Sequence, residues 1–123
     1  MHRLAHSTAA LGLLALASLV GVRAQAGAPR GAAIGVDSVA LTTGQFLAAY
    51  VSPEPTQRER AEMYLVGLMD AGEGRLWCDY RTYKTVTLRE RVFMHLKSLP
   101  SARLNEPAGE VVPRLLAQHY PCG

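Results

Sequence analysis

Two cysteines, Cys78 and Cys122, are the residues with the most definite chemistry in this chain. In a small exported protein, two cysteines most often form a disulfide. Closing the loop between them is worth about 4 kcal/mol in chain-entropy terms, which is large for a small domain. A zinc site is the alternative, because His119 shortly precedes Cys122. Zinc needs four ligands, and besides His119 and Cys122 only Cys78, His95 and Asp79 remain as loose candidates, so we expect a disulfide and no metal.

Side chains typical of a catalytic centre are few. The sequence contains no nucleophile-elbow, zinc-protease or phosphate-loop motif and no paired carboxylates. His95 and His119 are interpreted as structural, since the first borders an apolar stripe and the second is close to Cys122. Asp70 is either a polar contact of the core or an exposed residue. We therefore expect no enzymatic activity and no cofactor.

One short segment has the composition of a protein-binding surface. Tyrosines alternate with basic residues just after Cys78, and such residues are enriched where proteins bind one another. A disulfide at Cys78 would restrain this segment at one end. The alternative is a solvated loop whose tyrosines cover the edge of the core. The candidate partner-binding residues are Tyr80, Arg81, Tyr83 and Lys84.

The N-terminus has the order of a cleavable signal peptide. Arg3 is followed by an apolar run from Ala9 to Val22 and then by the small residues around Ala24 and Ala26. The run is shorter than the ~20 apolar residues of a membrane helix. We expect cleavage after Ala26, a signal peptide over residues 1–26, a periplasmic location and no membrane association after cleavage.

Loss of this signal changes the charge of the protein. Arg3 and Arg23 lie within it and no acidic residue does, so the formal net charge falls from +3 to +1. A nucleic-acid partner would require a clustered basic face. The sequence pI near 9.1 therefore does not indicate nucleic-acid binding.

Behind the signal, the sequence predicts a flexible arm over residues 27–40 and a single helical domain over residues 41–123. The arm is rich in glycine and other small residues. The domain contains four segments with helical spacing of apolar residues. The expected caps of these helices are Thr42 or Thr43, Thr56 with Glu59, Thr87 with Glu90, and Asn105.

A glycine and a proline inside the predicted helices are unusual, because both residue types disfavour helix. Gly67 lies in the middle of the second helix, where it costs about 1 kcal/mol relative to alanine, and close approach of another helix would explain it. Pro113 lies inside the pattern of the fourth helix and predicts a kink or a break. The fold class is all-α: a small compact bundle of about four helices with one disulfide.

Several short motifs follow one another along the helical domain: Tyr64–Ala71, Trp77-Cys78, Val86-Thr87-Leu88 with Val92 and Leu96, Pro107-Ala108, Leu115-Leu116 and Tyr120-Pro121-Cys122. Their order and spacing resemble the Rap/Tai family of periplasmic immunity proteins, which protect bacteria against amidase effectors of type VI secretion systems. The resemblance covers the chain from about Leu41 to the end. It departs at Ala61, where many members have cysteine, and after Cys78, where a proline is usual.

The resemblance implies a small helical exported protein, often a homodimer, that binds a peptidoglycan amidase and blocks its active site. Two other classes remain open. One is a periplasmic holdase-type stress chaperone, although such proteins carry a cysteine in an early helix and more charge than the 19% found here. The other is an envelope subunit of unknown role.

Overall fold

Four α-helices and one short 3₁₀ helix account for the regular structure of residues 33–123, the part of the chain that the computed structural model describes. They are α1 (Thr43–Tyr50), α2 (Pro55–Gly72), α3 (Thr85–Ser98), the 3₁₀ helix (Ser101–Asn105) and α4 (Ala108–His119). The predicted all-α class and four-helix bundle are confirmed for these residues. The expected signal peptide and residues 27–32 of the expected arm lie outside the described residues.

Helix α1 begins with the capping box that the sequence indicates. The Thr42 hydroxyl accepts a hydrogen bond from the Gln45 N–H at 3.2 Å, and the Gln45 side chain accepts the Thr42 N–H at 2.9 Å. This reciprocal pair satisfies two backbone donors that the helix itself leaves free.

The other predicted caps are wrong. Helix α2 begins at Pro55, because the fixed φ of proline is already helical, and this places Thr56 inside the first turn. Helix α3 begins at Thr85, so Thr87 lies beyond the cap position. Asn105 ends the 3₁₀ helix, and α4 begins after Pro107. None of these three helix starts has a capping hydrogen bond from a side chain.

The core forms where the apolar stripes of the helices meet. Helix α1 packs on the other three α-helices, so Phe46 is almost completely buried. The sequence predicts an apolar stripe of Leu88, Val92, Leu96 and Leu99 for the third helix. The first three are buried in α3, and Leu99 is half-buried at its C-cap. The largest fully buried side chains are Trp77, Phe46, Leu65, Met69, Leu88, Leu96, Leu116, Val92, Val112 and Thr43.

The two glycines of α2 differ from expectation. A Cβ atom added at Gly67 would meet no atom within 4 Å, and this residue is exposed. The predicted packing role of Gly67 is therefore wrong. Gly72 is buried instead, and a Cβ atom there would lie 3.1 Å from Cδ1 of Trp77. The close approach involves an indole ring at the end of the helix and not a crossing helix.

Helix α4 continues through Pro113 from Ala108 to His119, so the expected break does not occur. Proline cannot donate the hydrogen bond that would otherwise run to the carbonyl of Gly109. The buried face of the helix compensates for this loss through packing. That face consists of Ala108, Val111, Val112, Leu115 and Leu116. The sequence predicts the same face with Leu104 added, but Leu104 lies in the 3₁₀ helix and is half-buried.

The starts of α1 and α4 are joined directly. The Thr43 N–H and hydroxyl both donate to the Glu106 carbonyl, at 2.8 and 2.9 Å, and the Ala108 N–H donates to the Leu41 carbonyl at 2.8 Å. Thr43 is completely buried, so its hydroxyl needs this acceptor. The first and last helices of the domain therefore begin at a shared seam.

One residue of the expected arm lies against α2. The Ile34 side chain is buried, and its main chain is held by the Gln57 amide, which accepts the Ile34 N–H at 2.8 Å. The Arg60 guanidinium donates to the Ile34 carbonyl at 2.6 Å. Flexibility of the whole arm over residues 27–40 stays a prediction.

Candidate functional site

The segment between α2 and α3 holds every residue that the sequence predicts for partner binding. It leaves α2 through buried Trp77, whose indole N–H donates to the Met69 carbonyl at 2.9 Å. The next residue, Cys78, forms the predicted disulfide with Cys122, and their Cα atoms are 4.9 Å apart. We refer to residues 79–84 as the 79–84 loop.

Tyr80 packs inward from this loop. Its ring stands edge-on to the Trp77 ring, with centroids 4.9 Å apart and an interplanar angle of 89°. Its hydroxyl donates a hydrogen bond to Asp70 Oδ1 at 2.6 Å. Burial raises the pKa of the Tyr80 phenol, and the bond to Asp70 raises that pKa further. Asp70 is exposed, so of its two expected environments the structure shows the surface one.

Tyr83 packs inward as well, on the other side of the loop. Its ring centroid is 4.4 Å from that of Tyr120, the buried residue that follows α4. Tyr80 and Tyr83 are both half-buried and both lie against the core. The tyrosines of the segment therefore cover the edge of the core, which was the alternative interpretation of their spacing. A partner would meet only their outer edges.

The basic residues of the loop point outward. The Arg81 side chain is 93% exposed, and its guanidinium lies 3.6 Å from the Asp79 carboxylate. Because water screens an ion pair this exposed, the pair adds little to the stability of the fold. Asp79 also accepts the Thr82 N–H at 2.8 Å, and hydrogen bonding to Thr82 lowers the pKa of the Asp79 carboxyl. Lys84 is exposed and lies at the N-cap position of α3.

The location of these cations is electrostatically unfavourable for the helix. The N-terminus of a helix carries partial positive charge and favours acidic residues, each worth about 0.3–1 kcal/mol. Helix α3 has no acidic residue in its first turn, and Lys84 occupies its N-cap position with Arg81 nearby in sequence. Their placement therefore contributes nothing obvious to the stability of the fold.

Sequence reasoning missed two residues around this loop. Val86 lies two residues after Lys84, in the first turn of α3, and this large apolar residue is 63% exposed. The Tyr120 ring packs against the Tyr83 ring, but the two residues are far apart in the sequence, so no local pattern indicates this contact. Val86 extends the exposed surface of the loop, and Tyr120 shapes its base.

Neither His95 nor His119 is part of the 79–84 loop. His95 is half-buried near the end of α3, and burial lowers the pKa of its imidazole, with smaller contributions from Arg103 and His119. Within residues 33–123, no group of three or more histidine, cysteine or acidic residues is placed to hold a metal ion. No helix of that part of the chain is long and apolar enough to cross a membrane.

Comparison with known proteins identifies the family. The model of the Rap1a immunity proteins matches residues 42–122, which includes all four α-helices and both cysteines. No curated protein shows significant sequence similarity to the chain. Immunity proteins of this family are not catalytic, in agreement with the expectation of no enzymatic activity. The chain belongs to the Rap1a immunity protein family.

Proposed function

We propose that this protein is a periplasmic immunity protein that binds a peptidoglycan amidase effector of a type VI secretion system and blocks its active site. The observation that carries the proposal is the family match over residues 42–122. An immunity protein acts by binding a protein effector. The finer points, namely the amidase, the secretion system and the periplasm, follow the resemblance that the sequence motifs show.

The 79–84 loop is the surface we assign to the effector. It is fastened at one end by Cys78 and at the other by α3, so few degrees of freedom are lost on binding. Ordering a flexible side chain at an interface costs about 0.5–1.5 kcal/mol. Its exposed groups are Arg81 and Lys84, continued by Val86. A basic rim beside an apolar residue suits an acidic surface of the partner.

A pair of variants separates this surface from the fold. Arg81→Ala combined with Lys84→Ala should weaken effector binding by at least 2 kcal/mol, about 30-fold, if the loop is a hot spot. Both side chains are exposed, and neither favours the start of α3, so the melting temperature should not fall. Lys97→Ala removes an exposed cation from the opposite end of α3 and is the matched control.

The decisive assay pairs the protein with amidase-like proteins encoded near its gene, by pull-down and by protection of growing cells. If none binds, the immunity function proposed here is wrong. If an amidase binds but the double variant binds equally well, only the chosen surface is wrong. Light scattering of the purified protein, free and bound, tests the further expectation of a homodimer.

A further inference from the structure

Both ends of the 79–84 loop rest on one residue of the C-terminal tail, which we define as residues 120–123. At the first end, the Cys78 N–H donates to the Tyr120 carbonyl at 2.8 Å. At the second, the Tyr83 ring packs on the Tyr120 ring with centroids 4.4 Å apart. Tyr120 is 7% exposed, so it closes the base of the loop as part of the core.

The tail is held from two directions. At its start, the Tyr120 N–H donates to the Leu116 carbonyl at 2.8 Å and so continues α4 by one residue. At its other end, the Cys78–Cys122 disulfide ties it to the loop. Pro121, Cys122 and Gly123 are exposed, so little apolar burial retains them. The disulfide is the covalent link that keeps the end of the tail under the loop.

We propose that the oxidation state of Cys78 and Cys122 gates the 79–84 loop, so that its base is ordered only in the oxidised protein. To form the bond, the two thiols lose two protons and two electrons to a disulfide oxidant, which becomes a dithiol. A dithiol reductant reverses the exchange. In the reduced chain, the exposed residues 121–123 lose their one covalent tie to the loop and open locally. Tyr120 then loses one of the two restraints that hold it against Cys78 and Tyr83, and keeps only its burial and its bond to Leu116.

The gate is local, because other contacts of the loop do not involve the tail. Tyr80 stays packed on Trp77, and Trp77 is completely buried and bonded to the Met69 carbonyl. Reduction therefore releases the base of the loop and the segment around Tyr83, and leaves Tyr80 on α2. Loosening therefore affects both ends of the loop, at Cys78 and around Tyr83, and spares the packing of Tyr80.

This inference rests on the proposed function for its biological meaning. The cytoplasm keeps thiols reduced, and disulfides form in the oxidising compartments outside it. A reduced chain would have to order its loop at the moment of binding, which lowers affinity. The protein would thus bind its effector tightly only after export.

Hydrogen exchange of individual amides tests the gate without any effector. We expect the Cys78 and Tyr83 amides to exchange at least ten-fold faster after reduction with dithiothreitol, and in the Cys78→Ser, Cys122→Ser double variant. The exchange rates of amides in the middle of α2 should change only as far as the global stability of the protein changes. Oxidised Val112→Ala, destabilised in the core at a distance from the bond, is the control for that global effect. Equal exchange of Cys78 and Tyr83 in the oxidised and reduced proteins would overturn the proposal.

Binding supplies a second test where an effector has been found. Reduction should weaken binding at least ten-fold, and reoxidation should restore it, while oxidised Val112→Ala binds normally. Undiminished binding by the reduced protein would overturn the gate even if exchange had changed. If the oxidised protein binds no effector, the proposed function fails, and the exchange measurement still decides whether the loop is gated.

Discussion

Gly67 and Gly72 lie in the same helix, but only Gly72 is constrained by a neighbour. The indole of Trp77 folds back over the end of α2, where it donates to the Met69 carbonyl and covers Gly72. A side chain at Gly72 would push a ring that is completely buried. Gly67 faces open space, so there the helix bears the conformational cost of glycine with no packing gain.

The two glycines should therefore respond in opposite directions to the same change. Gly67→Ala should stabilise the protein by about 0.5–1 kcal/mol, because alanine restricts the unfolded chain and favours helix. Gly72→Ala should destabilise it by about 1–3 kcal/mol, since the new methyl would lie 3.1 Å from Trp77 Cδ1. Urea unfolding of the two variants measures both effects. A stabilising Gly72→Ala would show that the indole can move at little cost.

The side-chain contacts of the loop illustrate what sequence reasoning cannot supply at this scale. The residue types of the 79–84 loop predict a binding surface, yet Tyr80 is bonded to Asp70 on α2 and Tyr83 packs on Tyr120 beyond α4. Neither partner is adjacent in the chain. Only the packed fold decides that the tyrosines face inward while Arg81 faces solvent.

At the scale of the helices, apolar periodicity predicted the elements better than capping motifs predicted their ends. The buried stripes of α3 and α4 are the expected ones, since burial fixes which face of a helix turns inward. Thr56 and Thr87 each precede a glutamate by three residues and match the capping-box pattern. However, α2 already begins at Pro55 and α3 at Thr85, so neither threonine lies at a cap position.

The three threonines give a direct test of capping. Thr42→Ala should cost about 1 kcal/mol, because it removes the hydroxyl that accepts the Gln45 N–H. Thr56→Ala and Thr87→Ala should change stability by less than about 0.5 kcal/mol, as both residues are exposed and cap nothing. Thermal unfolding compares the three variants. A loss at Thr87 equal to that at Thr42 would contradict the observed start of α3.

Pro113 gives a second test at this scale. A proline inside a helix costs about 3 kcal/mol relative to alanine, and here α4 continues through it. Pro113→Ala restores a donor for the Gly109 carbonyl, so the variant should be more stable by about 1–3 kcal/mol. Chemical unfolding measures the difference. No gain in stability would mean that the half-buried proline ring supplies packing that alanine cannot replace.

At the scale of the whole molecule, the titration of His95 makes the free energy of unfolding depend on pH. Burial and the nearby Arg103 and His119 lower the pKa of His95 in the folded protein below 6.5, its ordinary value. Between those two pKa values the unfolded chain binds more protons than the folded one. The contribution of His95 is therefore complete above pH 6.5 and is lost as the pH falls through the folded value.

The melting temperature should accordingly fall between pH 7 and pH 5, and His95→Gln should reduce that fall. The carboxyls of Asp79 and Glu106 titrate in a separate window, because hydrogen bonds hold their pKa values below the usual range. Their contributions are lost only at lower pH. His119→Gln should reduce the fall by a smaller amount, because His119 makes only a lesser contribution to the low pKa of His95. A profile that is unchanged by His95→Gln would place the acid sensitivity elsewhere.

The shared seam between α1 and α4 has a consequence for the order in which the fold can be completed. The Leu41 and Thr43 bonds to Ala108 and Glu106 need residues from the far end of the domain, and the disulfide needs Cys122. A chain that emerges N-terminus first from a ribosome has none of these partners until residues 106–122 have been made. These contacts would therefore form only in a late step, after the first three helices have left the ribosome.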